Sequence, residues 1–282
     1  MRQLIINKNP DKKGLVLLDG KDFRYLRQVL RVKAGDMVNL RLPDGTLQNS
    51  TVCKIDDNAK KITLQVCSTS DVIASSESTK QPVMQIDFSL FQFIPKPQKL
   101  ELIVRQATEC GVKNIIPVIS EYAQKGSIDA LSGGRIERLE RIIREARQQS
   151  GSPVDTKIFE PVTVEQAIDL WNKIKEEAGG EKTSAGFVLS ERDVSPDAET
   201  ADTKAESVVP EALEGPAKGC VSTTPENVCI FCGNEGGISP EELELLVKKA
   251  LLQPIHFSVN ILRCETAALY GIAAIQTSFY GI

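Results

Sequence analysis

The chain has 282 residues, 41% of them hydrophobic, with 34 Lys and Arg against 38 Asp and Glu for a formal net charge of −4. That length suits one large domain or two ordinary ones with a real core, no apolar run approaches a membrane span, and Met1-Arg2-Gln3-Leu4-Ile5-Ile6-Asn7 lacks the plan of a signal peptide. Seven cysteines, an odd count in a chain this size, argue against a secreted disulfide framework and point to the reducing cytoplasm.

Residues 1–70 read as a small, mostly β domain. Leu4 to Ile6, Leu15 to Leu18, Met37 to Leu42, Leu47 to Ile55 and Ile62 to Val66 are short β-prone runs, and Asp44-Gly45 is a hairpin signal. One helix is predicted from about Lys21 to Leu30. The stretch is basic despite the acidic whole: thirteen Lys and Arg stand against seven Asp and no Glu. Arg24, Arg27 and Arg31 have helical spacing, which suits either a stripe that tracks phosphates or a solvated basic face. Residues 71–82 are polar and serine-rich and read as a linker.

From 83 to 282 strands alternate with helices, the pattern of a parallel α/β sheet. Gln85 to Phe93 is a strand, about Pro97 to Cys110 a helix, and Ile115 to Ile119 a strand. Arg135 to Gln149 is a helix with Ile136, Leu139, Ile142, Ile143 and Ala146 on its apolar stripe. Gly186 to Leu189, Val228 to Cys232 and Ile255 to Val259 read as further strands, and Pro240 to Leu251 and Cys264 to Phe279 as helices. The segment 191–226 breaks this rhythm. Nine Asp and Glu stand there against three Lys and Arg, with several prolines and few large apolar residues, so disorder is the expectation. It is read as a passive surface extension, with an electrostatic gate beside a nucleic-acid site as the alternative.

The most informative stretch is Cys232-Gly233-Asn234-Glu235-Gly236-Gly237-Ile238-Ser239-Pro240-Glu241-Glu242. It reads as a buried strand, a glycine turn and a capped helix start. Glycine permits close backbone approach, Ser239 suits the N-cap, Pro240 the first helical position, and Glu242 completes a capping box. Such a turn can hold a flat ligand against bare backbone. Glu235, Glu241 and Glu242 would repel a pyrophosphate, and the spacing is neither the dinucleotide fingerprint nor the P-loop. A neutral or cationic ligand fits better, and a turn with no ligand is the plain alternative. Cys229 and Cys232 invite a metal or redox reading, but two-residue spacing on an apolar strand puts the thiols on different faces or depths, and no metal is expected. His256, the one histidine, reads as a core or loop residue.

These segments, with Ile261-Leu262-Arg263 and Glu265-Thr266-Ala267, resemble the two C-terminal motifs of the ribosomal RNA small-subunit methyltransferase E family. Lys99-Leu100-Glu101-Leu102-Ile103-Val104-Arg105-Gln106-Ala107-Thr108-Glu109-Cys110-Gly111-Val112, Arg144 to Gly151 and Tyr25 to Asp36 resemble the family's upstream segments in the same order. The resemblance implies an α/β fold of the SPOUT class: a knotted parallel sheet with helices on both faces, plus a PUA-like N-terminal β-barrel that binds RNA. It implies S-adenosylmethionine-dependent methylation of N3 of a uridine in 16S rRNA, acting on an assembled small subunit, and a homodimer paired through Cys264 to Phe279.

By the same resemblance the cofactor pocket comprises Leu189, Ser190, Gly233, Asn234, Glu235, Gly236, Gly237, Ile238, Phe257, Ser258, Ile261 and Leu262. RNA contacts fall to Arg24, Arg27, Arg31, Arg105 and Arg147, with Arg138, Arg141 and Arg144 as further candidates. Removing the N3 proton asks for a base, and charge developing on the flanking oxygens asks for a cation. Arg263 is the expected cation. Glu235 and Glu265 are the motif-borne carboxylates. Glu265 equally suits a helix N-terminus, and Glu235 admits the roles of base, cofactor neighbour or loop stabiliser. Asn234, Ser258, Asn260, Tyr122 and Ser152 depart from the family's pattern, the last three standing where it has arginine. Those departures leave open a non-catalytic RNA-binding or ribosome-assembly protein, or a methyltransferase with another RNA target.

Overall fold

Short strands that share one buried face set the first unit of the chain. The computed structural model describes residues 3–66, 86–131, 134–181, 183–191 and 225–280. The linker expected at 71–82 and nearly all of the acidic segment 191–226 lie outside the described residues. Two compact units result: Met1–Val83 with Arg147–Pro153, and Met84–Ala146 with Val154–Ile282.

In the first unit, β1 (Gln3–Ile5), β2 (Leu15–Leu18), β3 (Met37–Arg41), β4 (Leu47–Asp56) and β5 (Lys61–Val66) form a mixed sheet of order β1-β3-β4-β5-β2. Leu4, Val16, Leu18, Val38, Leu40, Val52, Ile62 and Leu64 point to one core. The barrel expected from the resemblance is not closed among the described residues, where the sheet runs open from β1 to β2. The expected helix at 21–30 changes pitch: α1 (Gly20–Arg24) passes into a π-helical turn, Tyr25–Val29. Arg31 follows with φ of 54°. The wider turn takes Arg24, Arg27 and Arg31 off a single α-helical stripe. Arg27 is also engaged, pairing with Asp57 at 2.9 Å and donating to the Val32 carbonyl at 3.0 Å. Arg147 is a correction: expected as an RNA contact, it is only 9% exposed. Its carbonyl accepts from Gln3 Nε2, as does that of buried Ser152. Burial, and then the neighbouring Arg147 charge, lower the pKa of Arg41.

The second unit is a parallel sheet between two helical layers. Its elements are β6 (Asp87–Phe93), α2 (Pro97–Glu109), β7 (Asn114–Ile119), α3 (Lys125–Asp129), α4 (Arg135–Ser150, whose last turn belongs to the first unit), β8 (Lys157–Ile158), β9 (Val162–Thr163), α5 (Val164–Glu177), β10 (Ser184–Leu189), β11 (Asn227–Cys232), α6 (Pro240–Ala250), β12 (Gln253–Ile255) and α7 (Cys264–Tyr280). Strand order is β12-β10-β11-β6-β7-β8, with β9 also on β7, all pairs parallel. The central strands are apolar on both faces, as a covered parallel sheet requires. Val228, Ile230 and Cys232 of β11 pack with α2, α4 and α7, while Cys229 and Phe231 pack with α5 and α6. Phe91 and Phe231 stack at 4.2 Å across β6 and β11. The two thiols of Cys229 and Cys232 therefore face opposite layers, and burial pushes the pKa of both up.

Two features differ from the sequence expectation. The strand read at Ile255 to Val259 ends at Ile255, and Phe257 to Val259 turn back in a loop closed by Val259 N donating to Phe257 O at 2.7 Å. Phe257 instead packs edge-on against Tyr270 of α7, centroids 4.8 Å apart. Helix α5, with Trp171 fully buried, has no counterpart in the elements read above. Among the described residues no helix is long and apolar enough to cross a membrane.

Candidate functional site

The C-terminal ends of parallel strands meet loops at one edge of the second unit, the usual place for a ligand in an open α/β sheet. There β10 ends at Leu189, β11 at Cys232 and β12 at Ile255, and the loops after them enclose a cavity of about 360 Å³. Leu189, Ser190, Gly233, Asn234, Gly236, Gly237, Ile238, Phe257, Ile261 and Leu262 all line it, so ten of the twelve expected cofactor residues come together. Glu235 and Ser258 lie outside the lining. Tyr122, Glu191, His256, Val259, Asn260 and Cys264 also line it.

Each glycine of the turn has a distinct reason. A Cβ on Gly233 would stand 2.8 Å from the Gly237 backbone, which cannot yield. Gly237 has φ of 78°, a conformation that favours glycine. At Gly236 a Cβ would meet the Cβ of Tyr122 at 2.9 Å. Asn234 braces the turn rather than only facing the cavity. Its Oδ1 accepts from Gly236 N at 2.8 Å and its Nδ2 donates to Ser120 Oγ at 3.0 Å. Below the turn, Gln92 is fully buried, and its Nε2 donates to the carbonyls of Phe93, Cys232 and Gly233 at 3.0–3.3 Å.

The helix after the turn begins as its sequence reads. Ser239 caps α6 and Glu242 closes the capping box, its Oε2 accepting from Ser239 N at 3.0 Å. The other carboxylate oxygen of Glu242 accepts from Glu121 N at 2.8 Å. Glu242 is thus consumed by backbone donors, leaving Glu241 exposed at the helix start.

The motif carboxylates converge on one lysine. Lys99 Nζ lies 3.5 Å from Glu235 Oε1 and 3.2 Å from Glu265 Oε2. Glu235 Oε1 also accepts from Lys96 N at 3.2 Å. Cys264, which does line the cavity, contacts both Lys99 and Glu265. Burial opposes ionisation of Glu265, but its own backbone amide, the Cys264 thiol and Lys99 outweigh it and hold its carboxyl below the usual range. Burial likewise opposes the charge on Lys99, and its acidic neighbours overcome that and raise its pKa. Burial and the facing Glu265 push the Cys264 thiol up to about 12. So Glu235 and Glu265 are ion-paired beside the cavity instead of lining it.

Arg263 sits one residue before α7, between Leu262 and Cys264 of the lining. Its carbonyl starts the helix by accepting from Thr266 N and Ala267 N at 2.8 Å. Its side chain is exposed, with no ion pair among the described residues. Arg105 is exposed on α2, whereas Arg138 pairs with Glu101 at 2.8 Å. His256 Nδ1 stands 3.3 Å from the Ser190 carbonyl, within hydrogen-bond distance. Sequence reading missed Lys99 as a site residue, although it stands in a matched segment, because nothing in local spacing pairs it with carboxylates 136 and 166 positions away.

The cavity fits a flat, cationic cofactor. Bare glycine backbone and Leu189, Ile238, Phe257 and Leu262 offer an apolar slot, and Glu191 places a carboxylate in it. Comparisons with known proteins agree. The model of the RNA methyltransferase domain family matches residues 82–276. The chain is 27% identical over 252 residues to the ribosomal RNA small subunit methyltransferase E of Rickettsia conorii, covering 89% of this chain and 85% of that one. It is 24% identical over 283 residues to the protein of the same name from Buchnera aphidicola (Acyrthosiphon pisum), covering 98% and 93%. The crystal structure of a ribosomal RNA small subunit methyltransferase E from Neisseria gonorrhoeae, bound to S-adenosyl methionine, shares the fold with a TM-score of 0.68, 20% identity, and coverage of 98% and 97%.

Proposed function

Since the chain belongs to the RNA methyltransferase domain family, we propose that it is an S-adenosylmethionine-dependent methyltransferase that methylates N3 of a uridine in 16S rRNA within an assembled small subunit. The observation that carries this reading is the glycine-turn cavity, whose lining gathers both C-terminal motifs at one edge of the parallel sheet. S-adenosylmethionine supplies, when bound, a methyl group already activated on a sulfonium. The protein's task is then orientation and charge.

Gly233, Gly236 and Gly237 keep the turn tight at the cavity wall, and Leu189, Phe257 and Leu262 flank the cofactor's flat ring. Glu191 offers negative charge to a cationic ligand. Arg263, next to the cavity and without an ion pair among the described residues, stabilises the oxygens flanking N3 as the N3 proton passes to solvent water and the methyl group takes its place on the nitrogen. Lys99 holds Glu235 and Glu265 as a brace between the turn and α7. In this reading the two carboxylates are positioning groups.

The resemblance extends the proposal in four ways. The loops beside β10 and β11 belong to a SPOUT trefoil knot. The N-terminal sheet acts as a PUA-like RNA-binding module, with exposed Arg24 and Arg31 contacting phosphates. The domains run 1–70 and 83–282, joined by a linker. The enzyme works as a cytoplasmic homodimer paired through α7. Mass mapping of 16S rRNA from a deletion strain tests the activity: loss of one N3-methyluridine supports it, and an unchanged modification map rejects it. For Arg263→Ala the expected result is a fall of about a hundred-fold or more in single-turnover rate, with RNA affinity near wild type. A wild-type rate in that variant would make Arg263 structural.

A further inference from the structure

The mouth of the cavity carries an aromatic side chain that the cofactor reading does not use. Tyr122 lines the cavity and is still 44% exposed. Its Cβ, Cγ and Cδ2 lie where they would be 2.9–3.1 Å from a Cβ on Gly236, so the ring fills the space that glycine leaves. The backbone around it is pinned. Ser120 Oγ accepts from Asn234 Nδ2 at 3.0 Å, Glu121 N donates to Glu242 Oε1 at 2.8 Å, and Ala123 N donates to Ser120 O at 3.0 Å. A large ring held half in water by neighbours that are themselves fixed is preorganised for a ligand.

The charge around it selects which part of an RNA arrives. Glu191 lines the same cavity, its Oε1 lying 3.1 Å from the Cβ position of Gly237, and Glu121 and Glu241 are exposed. Phosphate oxygens are repelled by these carboxylates, whereas a neutral ring is not. A base inside a structured RNA has to leave its stack to reach a donor held in a cavity. Unstacked bases are retained on aromatic faces. We propose that Tyr122 is the platform on which the target base stacks while its N3 faces the methyl donor. The inference rests on the methyltransferase reading above.

The experiment uses the full chain and small ribosomal subunits from a strain lacking the enzyme. Tyr122→Phe, Tyr122→Leu and Tyr122→Ala are compared with wild type for S-adenosylmethionine affinity by calorimetry and for methylation kinetics. Stacking predicts that Tyr122→Phe keeps the wild-type KM for the subunit. Tyr122→Leu and Tyr122→Ala should raise it by about ten- to a hundred-fold, with cofactor affinity unchanged in all three. The unchanged cofactor affinity also reports that the variants are folded. A subunit KM within two-fold of wild type in Tyr122→Ala overturns the assignment. So does a parallel loss of cofactor affinity, which would make Tyr122 a cover for the cofactor, or an equal rise in Tyr122→Phe, which would make the hydroxyl the working group. A wild type that neither binds S-adenosylmethionine nor methylates the subunit overturns the enzyme reading itself, and this assignment with it.

Discussion

Lys99 is the residue on which the motif carboxylates depend, and its removal is informative. Lys99→Met keeps the length of the side chain but leaves Glu235 and Glu265 without their shared cation. The expected outcome is weaker cofactor binding by calorimetry, because the glycine turn and the start of α7 lose a common tether. Unchanged affinity would show that Lys99 braces nothing the cofactor needs. The signs of the pKa shifts fix the pH response. The Glu265 carboxyl is lowered on folding, so its contribution is present above the ordinary carboxylate range and is lost as pH falls through the lowered value. Lys99 is raised, so its contribution is present below the ordinary lysine range and is lost as pH rises through the raised value. Urea midpoints measured between about pH 6 and about pH 3 should therefore fall less in Glu265→Gln than in wild type. At the turn, Gly233→Ala should abolish cofactor binding, since its Cβ meets unyielding backbone at 2.8 Å. A side chain at Gly236, as in Gly236→Val, first meets the atoms of Tyr122.

Helix α6 shows how an element can brace a site through its ends. Ser239→Ala removes the N-cap acceptor and should lower stability by about 1 kcal/mol. Glu242→Ala does more, because it strands the buried amide of Ser239 and also removes the acceptor of the partly buried Glu121 amide. A loss of about 1–3 kcal/mol for the buried Ser239 donor, and less for Glu121, is the scale to expect in urea denaturation. A Glu242→Ala variant no less stable than Ser239→Ala would mean that both amides find other partners. The far end of α6 stops at Leu251, whose φ is 55° and whose side chain is 61% exposed. Leu251→Gly should raise the unfolding midpoint, since the left-handed conformation costs a residue with a Cβ about 1–2 kcal/mol. Lower stability there would place the side chain's contacts above its backbone strain.

At the scale of the molecule, the two units divide the work in the proposed mechanism, with affinity for RNA in the first and chemistry in the second. Arg24→Ala with Arg31→Ala should weaken RNA binding and flatten its salt dependence while leaving cofactor affinity intact, as phosphate contacts do. Arg27 is the poorer target, because Asp57 already neutralises it. A cut at residue 83 is also a poor way to separate the units. The first unit includes Arg147–Pro153, which a truncation would leave behind without Gln3 and Arg41. The proposed pairing through α7 predicts a dimer mass by light scattering at micromolar concentration, and a monomer mass would reject it.

The sequence alone determined the elements and the motifs that meet at the cavity. Short β-prone runs and the Asp44-Gly45 turn located all five strands of the first unit, and the run Val228 to Cys232 followed by glycine, serine and proline located β11, the turn and the cap of α6. These signals are local: backbone freedom at glycine, a missing amide at proline and a capping oxygen act within a few residues. The parallel α/β sheet and the ten expected residues that line the cavity followed from matched motifs. Tertiary structure decided the rest. Lys99, Glu235 and Glu265 come together only because α2, the glycine turn and α7 pack at one place. Tyr122 reaches Gly236 only because Asn234 and Glu242 fix the loop that carries it. Arg147 is buried, and Arg27 is paired, by partners far away in the chain. Ion pairing and burial depend on distances in space, and composition and periodicity carry no record of those distances.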